Sequence, residues 1–329
     1  MRRSVQALVL ILSLLSGFRF YMFMGHLLHG GPSAAKPAMV DGFLPIGGLM
    51  GLKLWLFTGS FDRVHPAAII ILSAAMLISA LFKKSFCSWI CPVGACSEAL
   101  WKTGRKAFEG RDFKMYRPLD YFLRSIKYFL LAFFLYMMSS MSSWDLAAFL
   151  NGPYWVAADA RMLWFFENLS AITGLVLTGL LAGSFFYKNF WCRYFCPYGA
   201  FLGILSFLSL AKITRDEDAC IHCGACNRNC PAYIEVDSKY RIKTPECSGC
   251  LSCVANCPAP GALGMRLAKF PRNQRNSSRG RPIPLFLYAA LLLVLFFGAI
   301  AAAKTAGKWD SYVTYADYQR TVVLMRNSR

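Results

Sequence analysis

Charge is scarce in this chain. Only 16% of its 329 residues are Asp, Glu, Lys or Arg, against about 25% in a typical soluble domain, so it lacks the polar surface that an ordinary soluble protein needs. Acidic residues are rarer still: 17 of them face 36 basic residues, a formal charge of +19. Histidine occurs four times, and no complete histidine-based metal-ligand spacing can be written from so few. No small-x-small cleavage site follows the first apolar stretch, so a cleaved signal peptide is not expected. In place of charge stands apolar sequence, 56% of the residues, gathered into long runs of the kind that cross membranes. The other excess is cysteine, with 13.

The hydropathy pattern predicts an α-helical integral membrane protein with about five spans, near 5–23, 67–82, 121–138, 163–186 and 284–303. A further apolar segment, Phe43–Thr58, carries Pro45, Gly47, Gly48, Gly51 and Lys53. It falls short of the roughly 20 residues that a straight crossing takes, and reads as re-entrant or interfacial. With the amino terminus inside, 26 of the 36 basic residues lie on the inner side, most of them in 83–127 and 188–281. That bias is the positive-inside pattern. It accounts for the excess positive charge without nucleic acid and leaves membrane lipid as the expected partner.

A repeat is visible by eye. Lys84-Ser-Phe-Cys87-Ser-Trp-Ile-Cys91-Pro92-Val-Gly94-Ala95 recurs 105 residues later as Asn189-Phe-Trp-Cys192-Arg-Tyr-Phe-Cys196-Pro197-Tyr-Gly199-Ala200. Each copy follows the inner end of an expected span. Composition turns polar and cysteine-rich between Lys212 and Leu263. The expected organisation is a membrane domain with both repeats (1–210), a small inserted α+β domain (211–264), a basic linker (265–283), a last transmembrane helix (284–304) and an outer tail (305–329).

Within the small domain, Cys220-x2-Cys223-x2-Cys226-x3-Cys230-Pro231 is followed by Cys247-x2-Cys250-x2-Cys253-x3-Cys257-Pro258. This is the spacing of a bacterial ferredoxin with two [4Fe–4S] clusters. Three closely spaced thiolates wrap one corner of a cubane, and the fourth ligand comes from the other run. Cys220, Cys223, Cys226 and Cys257 are therefore expected on one cluster, and Cys247, Cys250, Cys253 and Cys230 on the other. Gly224 and Gly249 let backbone amides approach the sulfurs. Zinc would favour paired x2 spacings, and disulfides do not persist on a reducing face.

Cys87-x3-Cys91-Pro92 and Cys192-x3-Cys196-Pro197 are less specific. Residues four apart share a helix face, so each pair is expected to present two thiols side by side, with the proline ending or bending the helix there. Three readings stand open: a four-thiolate metal or iron–sulfur centre, a redox-active dithiol, or buried packing cysteines. Cys96 has no counterpart in the second copy and reads as structural. His26, His29 and His65 fall near the expected outer surface, where a quinol or copper site competes with plain interfacial packing.

The twin Cys-x3-Cys-Pro-x-Gly-Ala motifs, the double ferredoxin run and Pro45-Ile-Gly47-Gly48-Leu49 together resemble the membrane polyferredoxins of the NapH, NosR and CcoG type. The resemblance covers roughly 40–263. It implies an electron-transfer protein of the bacterial inner (cytoplasmic) membrane, with its clusters in the cytoplasm and redox-protein partners in respiration or oxidase assembly. An electron carrier is the expected function, relaying electrons between a quinol or cytoplasmic donor and a respiratory or maturation partner. The alternative is a quinol or copper reductase with its site at the outer histidines. By matching motifs, Cys87, Cys91, Cys192 and Cys196 line a further redox or metal site. Leu44 and Met50 stand where many members carry a cysteine and an acid.

Overall fold

The computed structural model describes residues 1–30, 35–267 and 281–327. Among them the chain forms helices α1 (Arg2–His29), α2 (Pro45–Thr58), α3 (Pro66–Phe82), α4 (Ser85–Trp89), α5 (Pro92–Ala107) and α6 (Arg117–Ser140). There follow α7 (Ser143–Leu150), α8 (Pro153–Val156), α9 (Ala158–Glu167), α10 (Ala171–Phe186), α11 (Phe190–Tyr194) and α12 (Pro197–Leu205). Strand β1 (Ala211–Arg215), the single turns α13 (Ala225–Arg228) and α14 (Ser252–Ala255), strand β2 (Leu263–Leu267), α15 (Leu285–Thr305) and α16 (Tyr315–Asn327) complete the order. The chain divides into two compact units: one of 1–7, 75–131 and 178–295, the other of 8–74, 132–177 and 296 onward.

Among the described residues three helices, α1, α6 and α15, are long and apolar enough to cross a membrane, and up to four candidate spans result if the bent pair α9 and α10 counts as one. The expected span 163–186 is thus not one straight rod: its two halves meet at 87°. Asn168 ends the first half, its amide donating to the Trp164 carbonyl at 2.9 Å. The Ser170 hydroxyl starts the second by accepting the Thr173 amide at 3.2 Å, the role an N-cap residue plays. Helix α3, also expected as a span, has 17 residues. It rises about 25 Å, less than the hydrocarbon core of a typical bilayer.

In the first unit, β1 and β2 pair antiparallel with Ala211 opposite Leu267 and Arg215 opposite Leu263. The pairing carries the small domain's last strand three residues past the boundary expected at 264. Most of the basic linker expected at 265–283 lies outside the described residues. Helix α3 ends where Lys83 takes a left-handed backbone (φ 63°), and α4 and α11 each stop before a Cys-Pro step that opens the next helix. Helix α5 is anchored by the buried Glu98, which accepts from Arg2, from Lys102 and from Gln6 Nε2 at 3.0 Å.

In the second unit, α2 opens with Pro45 in its first turn and closes on Gly59 in the left-handed region. Its glycines are sites of close approach. A Cβ at Gly47 would overlap the Trp155 ring, and one at Gly48 would lie 2.8 Å from the Ala68 carbonyl oxygen. Lys53, the charge within this apolar segment, donates to the Met138 and Met141 carbonyls at 2.7 and 2.9 Å. Those are unpaired carbonyls at the end of α6, where a cation is favoured. Met50, Leu54, Leu146, Leu150 and Trp155 form one core of this unit. The tail expected after residue 305 folds back as α16, whose Tyr318 and Val322 join Phe20, Phe23 and Trp164 in a second core.

Candidate iron–sulfur and thiol sites

The Cys-x3-Cys pairs do not lie along one helix face, as the spacing suggested. Cys87 sits in α4 and Cys91 is the residue that caps α5; Cys192 sits in α11 and Cys196 caps α12. The proline is the cause: fixed at the first position of the second helix, it forces the preceding cysteine into extended backbone. Cys91 has φ −67°, ψ 121° and Cys196 has φ −75°, ψ 104°. The Cys196 sulfur accepts the Gly199 amide of the helix it opens at 3.3 Å, whereas the Cys91 sulfur makes no such capping hydrogen bond. Gly94 is obligatory, because a Cβ there would overlap the Cys87 carbonyl oxygen. That overlap explains the Gly of Cys-Pro-x-Gly in the first repeat.

The repeats bring the four thiols together. Burial pushes Cys87 up, and nearby Cys91 and Cys196 push it further. Cys192 is raised by burial and by Cys196, Cys91 and Cys87. Burial likewise lifts Cys91 to about 11. Burial and the nearness of the other three sulfurs keep each of these thiols in its neutral form, and only a cationic centre bound there would favour the thiolates. Lys84 and, beside Cys87 and Cys196, Lys127 are cations facing this group. Lys84 lies 3.9 Å from Glu246, whose carboxyl burial raises but Lys84 and Lys127 hold down at about 2.

In the small domain the two cysteine runs adopt the same backbone pattern. The second and fourth residues after the first cysteine have positive φ in both: His222 (53°) and Gly224 (67°), then Gly249 (59°) and Leu251 (57°). Each run therefore has one glycine where two left-handed positions occur, and His222 and Leu251 take the second without one. Such a loop turns successive amides inward, the lining an anionic cluster requires. Cys226 is raised by burial and, further, by Cys257. Cys230 is lifted to about 12 by burial and by Cys250 and Cys247. Each run thus places its last cysteine beside the other run. Among the described residues no three cysteine sulfurs lie within 4.8 Å of one another. A tetrahedral zinc with Zn–S bonds of about 2.3 Å would need sulfurs about 3.8 Å apart.

The Cys247–Cys250 loop is seated directly on the first repeat. The Gly249 carbonyl accepts Tyr288 Oη at 3.0 Å and Trp89 Nε1 at 3.2 Å, and the Ser248 carbonyl accepts Ser88 Oγ at 2.7 Å. A Cβ on Gly249 would overlap Ser85 Oγ. Cys230, Cys247 and Cys253 are buried, while Cys223 is exposed and Cys220 and Cys257 are half-buried.

In the second unit His65 is fully buried, with Nδ1 2.9 Å from Asp41 Oδ1 and Nε2 2.9 Å from the Trp155 carbonyl. Burial lowers its pKa, but the Asp41 carboxylate outweighs burial and the net shift is upward. Asp41, His65 and Asp159 have donor atoms within 4.8 Å of one another. Lys36 lies 2.6 Å from Asp159 Oδ2, and Tyr318 Oη donates to Asp159 Oδ1 at 2.9 Å. His26 and His29 do not join that group; His26 lies beside the Tyr315 ring. His29 lines a cavity of about 430 Å³ with Tyr21, Met24, Trp164, Glu167 and Arg326. Sequence reasoning missed Asp159, Lys36 and Tyr318, which carry no motif and meet only through folding.

Comparison with known proteins agrees with this chemistry. Residues 64–110 and 169–215 each match the family described as 4Fe-4S binding domain, two matches displaced by the repeat's own 105 residues. Residues 212–258 match the 4Fe-4S dicluster domain. YccM of Escherichia coli (strain K12), whose name assigns it provisionally to electron transport, is 39% identical over 98% of this chain and 89% of its own. The ferredoxin-type protein NapH of the same organism is 26% identical over 59% of this chain and 67% of its own. The regulatory protein NosR of Pseudomonas aeruginosa is 31% identical over 51% of this chain but 23% of its own. No solved structure matches.

Proposed function

As the chain belongs to the membrane-associated, ferredoxin-type polyferredoxin family, we propose that it is a multi-pass electron carrier of the bacterial inner membrane. It relays electrons between a quinol or cytoplasmic donor and a respiratory or maturation partner. Cys220, Cys223, Cys226 and Cys257 would hold one [4Fe–4S] cluster and Cys230, Cys247, Cys250 and Cys253 the other. Cys87, Cys91, Cys192 and Cys196 would hold a third thiolate-bound centre. The family description of both repeats as 4Fe-4S binding favours that reading of the motif over a dithiol. When bound, such clusters supply one-electron storage at thiolate-ligated iron.

The observation that carries the proposal is the seating of the Cys247–Cys250 loop on α4. Ser88 and Trp89, the residues after Cys87, donate to the carbonyls of Ser248 and Gly249. The chain thereby fixes the small domain against the first repeat and keeps bulk water from the contact. Tyr288 of α15 closes the same contact from a third direction. The excess of Lys and Arg in this unit supports a cytoplasmic position and suits an acidic redox partner or anionic lipid.

The test is anaerobic purification with iron and sulfide analysis and EPR of the reduced protein. About eight irons are expected from the two ferredoxin clusters and about twelve with the third centre. Serine at Cys87, Cys91, Cys192 and Cys196 should remove only the last four. Fewer than about eight irons, or no cluster signal, sinks the proposal. A second reading, a quinol or copper reductase, draws support from buried His65 with its two carboxylates and from the cavity beside His29. It requires that alanine at His26, His29 or His65 abolish turnover while iron content holds.

A further inference from the structure

Lys83 and Lys188 occupy the same position in the two repeats, 105 residues apart. Each stands just beyond the end of a long helix, α3 or α10. Lys83 is fully buried and Lys188 is 1% exposed. Lysine is almost never this buried without a partner that needs its charge. Lys83 Nζ donates to the carbonyls of Lys243 and Thr244 at 2.9 and 3.1 Å and of Ser206 at 3.4 Å. The Thr244 carbonyl also accepts the Cys247 amide at 3.3 Å. Lys188 Nζ donates to the Arg228 carbonyl at 3.1 Å, two residues before Cys230, and lies 3.0 Å from Asp112 Oδ2. The thiol charge facing Lys83 is that of Cys247, and the one facing Lys188 is that of Cys230. These two cysteines are far apart in sequence yet fall in the same quartet.

We propose that Lys83 and Lys188 act as a matched pair of buried cations. They hold the reduction potential of the centre bound by Cys230, Cys247, Cys250 and Cys253 above that of the centre bound by Cys220, Cys223, Cys226 and Cys257. The inference rests on the cysteine assignment proposed above. Its physical basis is a competition. Reduction adds an electron to a thiolate-ligated, already anionic centre, and burial alone opposes it, so the more buried quartet would otherwise be the harder to reduce. A fixed cation reverses the order, and it acts about fourfold more strongly through protein interior than through water. The other quartet includes exposed Cys223. The cation beside its loop, Arg228 against Gly224, is solvent-exposed and screened. No atom or proton moves in this step; one electron is distributed between two centres of the same chain.

EPR-monitored redox titration of the full-length protein tests it. A water-soluble paramagnetic chelate identifies the exposed centre by faster relaxation of its signal. Of the two wild-type signals that serine at Cys87, Cys91, Cys192 and Cys196 leaves in place, the higher midpoint should belong to the one the chelate relaxes less; the reverse order overturns the proposal, whatever any variant does. Lys83→Met and Lys188→Met should each shift that midpoint negative and leave the other in place, while Lys83→Arg and Lys188→Arg should restore most of it. Both centres present with unmoved midpoints in the two Met variants also overturns it. A wild-type protein with no cluster iron instead removes the cysteine assignment itself, a failure that iron analysis tells apart from the first two.

Discussion

Gly249 sets the tightest local constraint in the cysteine-rich unit. Its left-handed backbone and the Ser85, Phe82 and Tyr288 oxygens crowding its Cα leave no room for a methyl group. Gly249→Ala should therefore cost more than the roughly 1 kcal/mol of an ordinary Gly-to-Ala strain and lower cluster occupancy, read as iron per chain. Gly224→Ala meets only the flexible end of Arg228 and should keep its iron. The sequence announced both glycines equally, since both sit in cysteine runs. What separates them is the contact with α4 and α15, which no spacing encodes. His222 and Leu251 illustrate the same limit: their left-handed backbone follows from the loop they share with the glycines, and nothing in their chemistry signals it. The eight cysteines of the ferredoxin runs, by contrast, stood out at once because ligand spacing is a local property, whereas the spacing of the repeat cysteines left three readings open.

At the scale of the element, the Cys-Pro step was read as ending or bending a helix at the proline, but the first helix ends three residues earlier, at Trp89 and at Tyr194. Proline belongs inside the new helix, so the thiol before it becomes a cap. A Pro92→Ala change should let α4 and α5 join, move the Cys91 sulfur from its capping position and reduce iron bound at the repeat motifs. The readout is loss of about four irons with the ferredoxin signals intact. Helix α5 also carries a pH dependence. Burial raises the pKa of Glu98, but Arg2, Lys102 and Gln6 outweigh it, so the folded value lies below the ordinary one. A depressed acid stabilises the fold above its unfolded pKa of about 4.3 and loses that contribution as pH falls through the folded value. Thermal unfolding in detergent should drop below about pH 4.5, and Glu98→Gln should flatten that limb. Apolar runs gave away α1, α6 and α15. The 87° bend between α9 and α10 was hidden, because hydropathy averages across Asn168-Leu169-Ser170 without registering two caps.

For the molecule as a whole, His65 in one unit and Glu98 in the other carry pH dependences of opposite sense. His65 is raised above its ordinary value despite burial, with Asp41, Asp159, Asp62 and Lys36 as the charges around it. A raised histidine stabilises fully below its unfolded pKa of about 6.5, and the contribution fades as pH rises through the folded value. Unfolding of the wild type should come at lower temperature from about pH 7 upward, and His65→Gln should remove that slope. Breaking so buried a pair costs about 3–5 kcal/mol at the pH where it is charged. Sidedness has its own check. A cysteine placed at exposed Glu217, read on a cysteine-poor background, should be labelled from the cytoplasm of intact spheroplasts only after permeabilisation. One placed at exposed Asp317 should label without it. Charge bias made that prediction readable from sequence, whereas the return of α16 onto α1 and α9 was invisible, because its apolar residues are broken by Asp317, Gln319 and Arg320 and form no long run.

The register of β1 and β2 reaches further than the local fold. Ala211 stands opposite Leu267, so the polypeptide enters and leaves this stretch about one strand spacing apart, near 4.8 Å. A guest segment with adjoining doors asks its host for no wider opening than a tight turn does. Evolution can therefore graft such a cassette into a membrane chain, or delete it, without re-spacing the flanking helices.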